Sequence, residues 1–191
     1  MKYLLILLFI INTSWAATAP EKFNVLFKTN KGDFTLAVEK KAAPQGVQRF
    51  YDLVQQKYFN KAKFFRMVTG FVVQFGIAAD PKVTAVWKNK NLKDDPVKLS
   101  NTEGMISFAT AGPNTRTTQL FINLGNNSSL DRMGFAPFGK VEKGMDVVKS
   151  LYAEYGDAPT PEQGEIEQSG NQFLDKKYPK LDYIIEAKVL P

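Results

Sequence analysis

The sequence contains no cysteine and no histidine. The first absence rules out disulfides, a thiolate nucleophile and a lipobox anchor, so the fold must be held by packing alone. The second removes the usual general base, the commonest zinc ligand and any Ser-His-Asp triad. Carboxylates could still hold a metal, but the acids do not fall in a calcium-loop spacing, and no Walker or dinucleotide glycine pattern is present. No metal and no cofactor are therefore expected. Long apolar runs are missing too: the longest, Tyr3 to Ile11, has nine residues, less than half of the ~20 that span a bilayer. Chemistry in such a chain has to work by placed hydrogen-bond donors and dry packing.

That short run follows Lys2 and leads into N-T-S-W-A-A-T-A, with small residues Ser14 and Ala16 where a signal peptidase inspects the chain. Residues 1–16 read as a secretory signal peptide, cleaved after Ala16 or, alternatively, after residues 17 to 19; an uncleaved anchor would need a longer run. Export follows, and a bacterial periplasm is the compartment expected from so short and simple a leader, though the leader itself says only exported. Residues 20–191 have the size of one domain, and 44% apolar with 23% charged residues suits a globular chain with its own core. The net charge is +6, or +5 once Lys2 leaves with the leader. Its lysines are scattered, with small knots at Lys40-Lys41, Lys88 to Lys93 and Lys176-Lys177. Such scatter reads as a solvated surface, so no nucleic-acid partner and no stable membrane insertion are expected, and a monomer is.

Along the chain, F-N-V-L-F-K-T and F-T-L-A-V flank N-K-G-D, the clearest hairpin signal present. Pro44 then opens a helix in which Val47, Phe50, Tyr51 and Val54 share one face. The segment 78–101 is polar and lysine-rich and reads as loop with short extended pieces. Gly104 to Thr110 and Gln119 to Leu124 read as strands around a surface loop, A-G-P-N-T-R-T-T. Phe135 to Val141 reads as a strand interrupted by Gly139, and Gly144 to Tyr152 as a second helix. Residues 155–170 are rich in Gly, Pro, Glu and Gln and read as a long excursion; Asn171 to Tyr178 offers a helical turn before a last strand, Tyr183 to Val189. Many short strands, two principal helices and no βαβ rhythm argue for a mainly β, closed antiparallel barrel with helices over its ends.

The stretch that organises the rest is Phe64 to Gly76, F-F-R-M-V-T-G-F-V-V-Q-F-G. Two strand-like apolar runs flank a Thr69-Gly70 turn, and their long polar side chains are Arg66 and Gln74. An arginine among Phe64, Phe65, Met67 and Phe71 has two readings: it snorkels out of a sheet, or it is held at an apolar site for chemistry.

Three segments together resemble the cyclophilin family of peptidyl-prolyl cis-trans isomerases: residues 64–76, I-S-F-A-T-A-G-P-N-T-R-T-T-Q-L-F-I-N at 106–123, and L-D followed by F-A-P-F-G-K-V within 130–141. Weaker similarity joins them in one unbroken order from about residue 23 to 189. The resemblance implies a closed eight-stranded antiparallel β-barrel capped by two α-helices. It further implies isomerase activity (EC 5.2.1.8), proline-containing peptides and folding exported proteins as partners, and Arg66 as catalytic arginine with Gln74 as active-site glutamine. Phe71, Val72, Phe121 and Leu130 match the walls of the family's proline pocket, Phe135 aligns near its pocket histidine, and Ala109, Thr110, Ala111 and Gln119 match the peptide-binding edge. Three residues depart from the pattern: Val72 stands for a methionine, Thr110 for an asparagine, and Ser129 for the tryptophan of eukaryotic members. The valine implies a roomier pocket and the serine weak cyclosporin binding. Taken singly, each of these aromatics could equally be ordinary barrel core.

This activity needs none of the missing residues. Rotation about an X-Pro bond breaks amide resonance, with a barrier of ~18–20 kcal/mol, but deprotonates nothing and breaks no covalent bond. The competing reading is a peptide-binding chaperone module that uses the same groove with little isomerase activity.

Overall fold

The computed structural model describes residues 17–191, so the expected signal peptide at 1–16 lies outside the described residues. Eight strands form one antiparallel sheet, built out from the N-terminal hairpin. Strand β1 (Lys22–Thr29) sends Phe23, Val25 and Phe27 inward, and β2 (Gly32–Glu39) does the same with Phe34, Leu36 and Val38. Their alternation is the period of a pleated strand with one wet face. The turn falls at Asn30-Lys31, as expected, with Thr29 opposite Gly32.

The remaining strands are β3 (Arg66–Val68), β4 (Val72–Phe75), β5 (Met105–Phe108), β6 (Leu120–Asn123), β7 (Gly139–Lys143) and β8 (Ile184–Val189). Their spatial order is β3-β4-β6-β5-β7-β2-β1-β8. The barrel is not closed as expected. Its edge strands, β3 and β8, share no ladder; the segments leading into them meet at an isolated bridge, Lys63–Tyr183, flanked by hydrogen bonds from Phe64 N–H to the Asp182 carbonyl and from Ile184 N–H to the Ala62 carbonyl, each 2.9 Å. The reason lies in the next residues. Met67 N–H donates to the Gly156 carbonyl (3.3 Å), so a turn of the 155–170 excursion, not β8, takes the outer edge of β3.

Rings fill the interior: Phe27 stacks on Phe34 at 4.9 Å between centroids and also meets Phe50, Phe59 and Phe75. Phe50 comes from helix α1 (Pro44–Gln55), whose buried Val47, Leu53 and Val54 cover one mouth of the sheet. The two first N–H groups of α1 donate to a buried carboxylate 50 residues away: Gln45 N–H and Gly46 N–H bond Asp95 at 3.0 and 2.8 Å, and Asp95 is paired with buried Arg116. Helix α3 (Met145–Lys149) is shorter than expected because Ser150 Oγ bonds the Val147 carbonyl and Tyr152 N–H is drawn off to Asp182 (2.7 Å).

Two segments read as irregular are helical. Asp80 caps α2 (Pro81–Trp87), its carboxylate accepting from Lys82 N–H at 2.8 Å. The excursion carries a 3-10 turn at Thr160–Glu162 and α4 (Gln163–Ser169), and the helical turn expected after it is α5 (Asn171–Lys177). Ile166, Leu174, Tyr178 and Leu181 from this region form a second small core with Phe65 and Ile77. Phe64 and Phe65 thus serve opposite faces, the first the main core and the second this outer one. Gly139 starts β7 instead of interrupting it: a Cβ there would lie 2.7 Å from the Ala37 carbonyl oxygen. No helix among the described residues is long and apolar enough to cross a membrane.

Candidate active site

Thr69-Gly70 folds β3 back on β4 so that Arg66 stands directly opposite Gln74, and Gln74 in turn stands opposite Phe121 on β6. Side chains directly opposite one another share a face of the sheet. Val73, Phe75, Leu120 and Ile122 point into the main core, so Val72, Gln74 and Phe121 must face the other side. On that side Val72, Phe121 and Leu130 form a separate apolar cluster, with Phe71, Ala109 and Phe135 packed against it. Phe135 meets Phe121 edge to face at 5.5 Å.

These residues line a cavity of about 500 Å³. All eleven positions expected at the site lie on it: the polar end holds Arg66, Gln74 and Gln119, the apolar end Phe71, Val72, Phe121, Leu130 and Phe135, and one rim Ala109, Thr110 and Ala111. Ser129 is exposed and is not among the lining residues. The sequence reading missed Lys88 and Asn91 beyond α2, Thr115 and Thr117 in the surface loop, and Thr160, Gln163 and Glu167 from the excursion. A lone isoleucine in a polar stretch was the only trace of the helix that brings the last two there.

A chain of hydrogen bonds aims the polar end. Arg66 Nη1 donates to Gln74 Oε1 (3.2 Å), and Gln74 Nε2 donates to Gln119 Oε1 (2.8 Å). Arg66 Nε donates to the Asp157 carboxylate, and the guanidinium sits 5.6 Å from the Phe71 ring centroid. Arg66 is therefore half-buried and held on three sides, the first a neutral amide, the second a carboxylate and the third a ring face. The bond from Arg66, with a second from Thr160, holds the Asp157 carboxyl below its ordinary value.

The apolar end is braced from behind. Asn127 Nδ2 and Leu124 N–H both bond the Phe71 carbonyl, at 2.7 and 2.8 Å. Asn101 Nδ2 donates to both Asp131 and the Phe135 carbonyl (each 2.8 Å), which fixes the loop between Leu130 and Phe135. Burial opposes ionisation of Asp131, but hydrogen bonds from Ser100 and Asn101 outweigh it and hold its pKa down. On the rim, the Thr110 hydroxyl turns back on its own loop, shared with Thr115 Oγ1 at 2.8 Å. Its backbone, not its side chain, is left to meet a ligand. No group of three or more acidic side chains able to hold a metal occurs among the described residues.

Residues 24–171 match the family model described as cyclophilin type peptidyl-prolyl cis-trans isomerase/CLD. The chain belongs to the cyclophilin family. Relatives include peptidyl-prolyl cis-trans isomerase A of Dickeya dadantii, 36% identical over 71% of this chain and 74% of that protein. Another is peptidyl-prolyl cis-trans isomerase B of Escherichia coli, 29% identical over 85% and 96%. Among solved structures, a Cryptosporidium parvum cyclophilin overlays with a TM-score of 0.66 at 20% identity, covering 89% of this chain and 98% of its own. A crystal structure of that cyclophilin in the presence of the dipeptide Ala-Pro overlays at 0.65. Peptidyl-prolyl cis-trans isomerisation is accordingly the activity class of this cyclophilin.

Proposed function

We propose that the protein is an exported, monomeric isomerase that speeds X-Pro isomerisation in folding client proteins, with Arg66 as the donor to the reacting amide. The observation that carries this reading is the sharing of one cavity by a half-buried, doubly hydrogen-bonded guanidinium and an apolar socket formed by Val72, Phe121 and Leu130. In the twisted transition state the prolyl nitrogen becomes pyramidal and recovers its lone pair. A fixed donor binds that state better than the planar ground state, which is what lowers a barrier. Arginine suits the task because one edge of its planar fork can be held by Gln74 while another faces the substrate, and its charge never titrates. Val72, Phe121 and Leu130 would take the ring and keep water off the amide. Exposed backbone at Ala109 to Ala111 would pair with an extended peptide. Among solved relatives, one was crystallised in the presence of Ala-Pro, which suits such a pocket. Export to a periplasm rests on the leader at residues 1–16.

The test compares wild type and Arg66→Ala in an exchange assay on an X-Pro peptide. One preorganised donor in a dry site contributes ~2.7–4 kcal/mol, so the variant should lose two to three powers of ten in kcat/KM with an unchanged circular dichroism spectrum. An unchanged rate removes Arg66 from this role. Suppression of client aggregation that survives the substitution, with a wild type slow on peptides, would favour the chaperone reading instead.

A further inference from the structure

The isomerase reading explains the Gln74 side of Arg66 but leaves Asp157 unused. Asp157 sits in the 155–170 excursion, far from Arg66 in sequence, and its carboxylate accepts from Arg66 Nε. Three contacts fix that carboxylate's place. Thr160 Oγ1 donates to the same Oδ1 at 2.9 Å, the preceding Gly156 carbonyl accepts from Met67 N–H at 3.3 Å, and the Tyr178 hydroxyl donates to the following Ala158 carbonyl at 3.3 Å. The turn that presents Asp157 is thus bonded to β3 one residue from Arg66 and to the small core behind α4 and α5.

We propose that Asp157 is a positioning residue for the isomerase, orienting the Arg66 guanidinium toward the reacting amide. The proposal rests on the reading of Arg66 given above. Gln74 alone holds one corner of a flexible side chain, about which the planar fork can still swing. A second anchor at Nε, on a different nitrogen, sets the plane itself. Nη2 then has no hydrogen-bond partner among the described residues and is left to donate to substrate. A carboxylate also offsets part of the guanidinium charge, so it would be a poor choice if charge were what mattered; its use makes sense for aim. Because donor geometry decides transition-state binding, a displacement of ~1 Å at the reacting atom can cost ~100-fold. The Asp157 side chain is 62% exposed, and exposed ion pairs add little to stability, so removing it leaves the fold in place.

The experiment measures kcat and KM on one X-Pro peptide for wild type, Asp157→Ala, Asp157→Glu, Arg66→Ala and the Arg66→Ala/Asp157→Ala double variant. It also records the ¹⁵N–¹H signal of Arg66 Nε in wild type and in Asp157→Ala. Asp157→Ala is expected to lower kcat about tenfold with KM little changed, Asp157→Glu to recover part of the loss, and the double variant to be no slower than Arg66→Ala alone. The Nε–H signal should exchange slowly with water in wild type and rapidly in Asp157→Ala. An unchanged or raised kcat, an effect confined to KM, an equal loss in the Arg66→Ala background, or an Nε–H signal indifferent to the substitution overturns the proposal. A wild type without isomerase activity overturns both readings; an active wild type silenced by Arg66→Ala but not slowed by Asp157→Ala overturns this one alone.

Discussion

At the scale of single residues, the site depends on a row of three side chains, Arg66 on β3, Gln74 on β4 and Gln119 just before β6, each bonded to the next. Gln74 is the middle link and is buried. Gln74→Ala would free Arg66 Nη1 and leave the Gln119 carbonyl oxygen without its donor. A hydrogen bond to a charged group is worth ~1.5–3 kcal/mol, so kcat/KM should fall about 10- to 100-fold, mostly in kcat, read in the same peptide assay. Arg66→Lys tests the fork separately from the charge. A lysine ammonium cannot meet Gln74, Asp157 and substrate in one plane, so less than about a tenth of the activity should remain; full activity would show that charge alone suffices. Arg66 and Gln74 were legible in the sequence as the long polar side chains of an apolar stretch, and the resemblance supplied their partners. Asp157 was not, because nothing local to G-D-A-P says which strand it will touch.

At the scale of elements, the strands were legible where one face is wet and obscured where both are covered. β1 and β2 alternate cleanly, whereas every residue of β4, β5 and β6 is buried, since the main core lies on one side and the site or its supports on the other. Such strands give short apolar runs without a period, which locate them but not their facing. The helices α2 and α4 were missed because each is seven residues long and held by one or two apolar anchors, whereas α5 was expected as a helical turn. The opening of the expected barrel follows from the same excursion, whose turn binds the edge of β3. One long-range device was invisible for a different reason: Asp95 bonds the first N–H groups of α1 and the buried Arg116 of the cavity loop, and no spacing rule joins 45, 95 and 116. Asp95→Ala would leave a helix end and a buried guanidinium partly unpaired. Breaking a buried pair costs ~3–5 kcal/mol, so the urea midpoint should drop sharply; a loss below ~1 kcal/mol would mean that Asp94, also bonded to Arg116, carries the pair alone.

At the scale of the whole molecule, the missing histidine has a consequence for pH. No side chain has an ordinary pKa between about 5 and 8. The resolved shifts of the carboxyls and tyrosines move those groups further from that window. Hydrogen bonds from Lys41 and Lys22 lower Glu39, Lys177 lowers Glu162, and Arg66 lowers Asp157, while burial raises Tyr58 and the neighbouring Glu154 pushes Tyr152 up to about 12. The signs follow from linkage. A carboxyl held below its ordinary value contributes stability above that value, near 3.8 for Asp and 4.5 for Glu, and loses it as pH falls toward the lower folded value. A raised tyrosine does the opposite, costing stability as pH climbs past 10. Both the urea midpoint and kcat/KM should therefore be level from about pH 6 to 9 at fixed ionic strength, with stability declining below about 4.5 and above about 10. A step in kcat/KM between pH 6 and 8 would mean that the rate depends on a titrating group, which catalysis by a permanently charged arginine does not have.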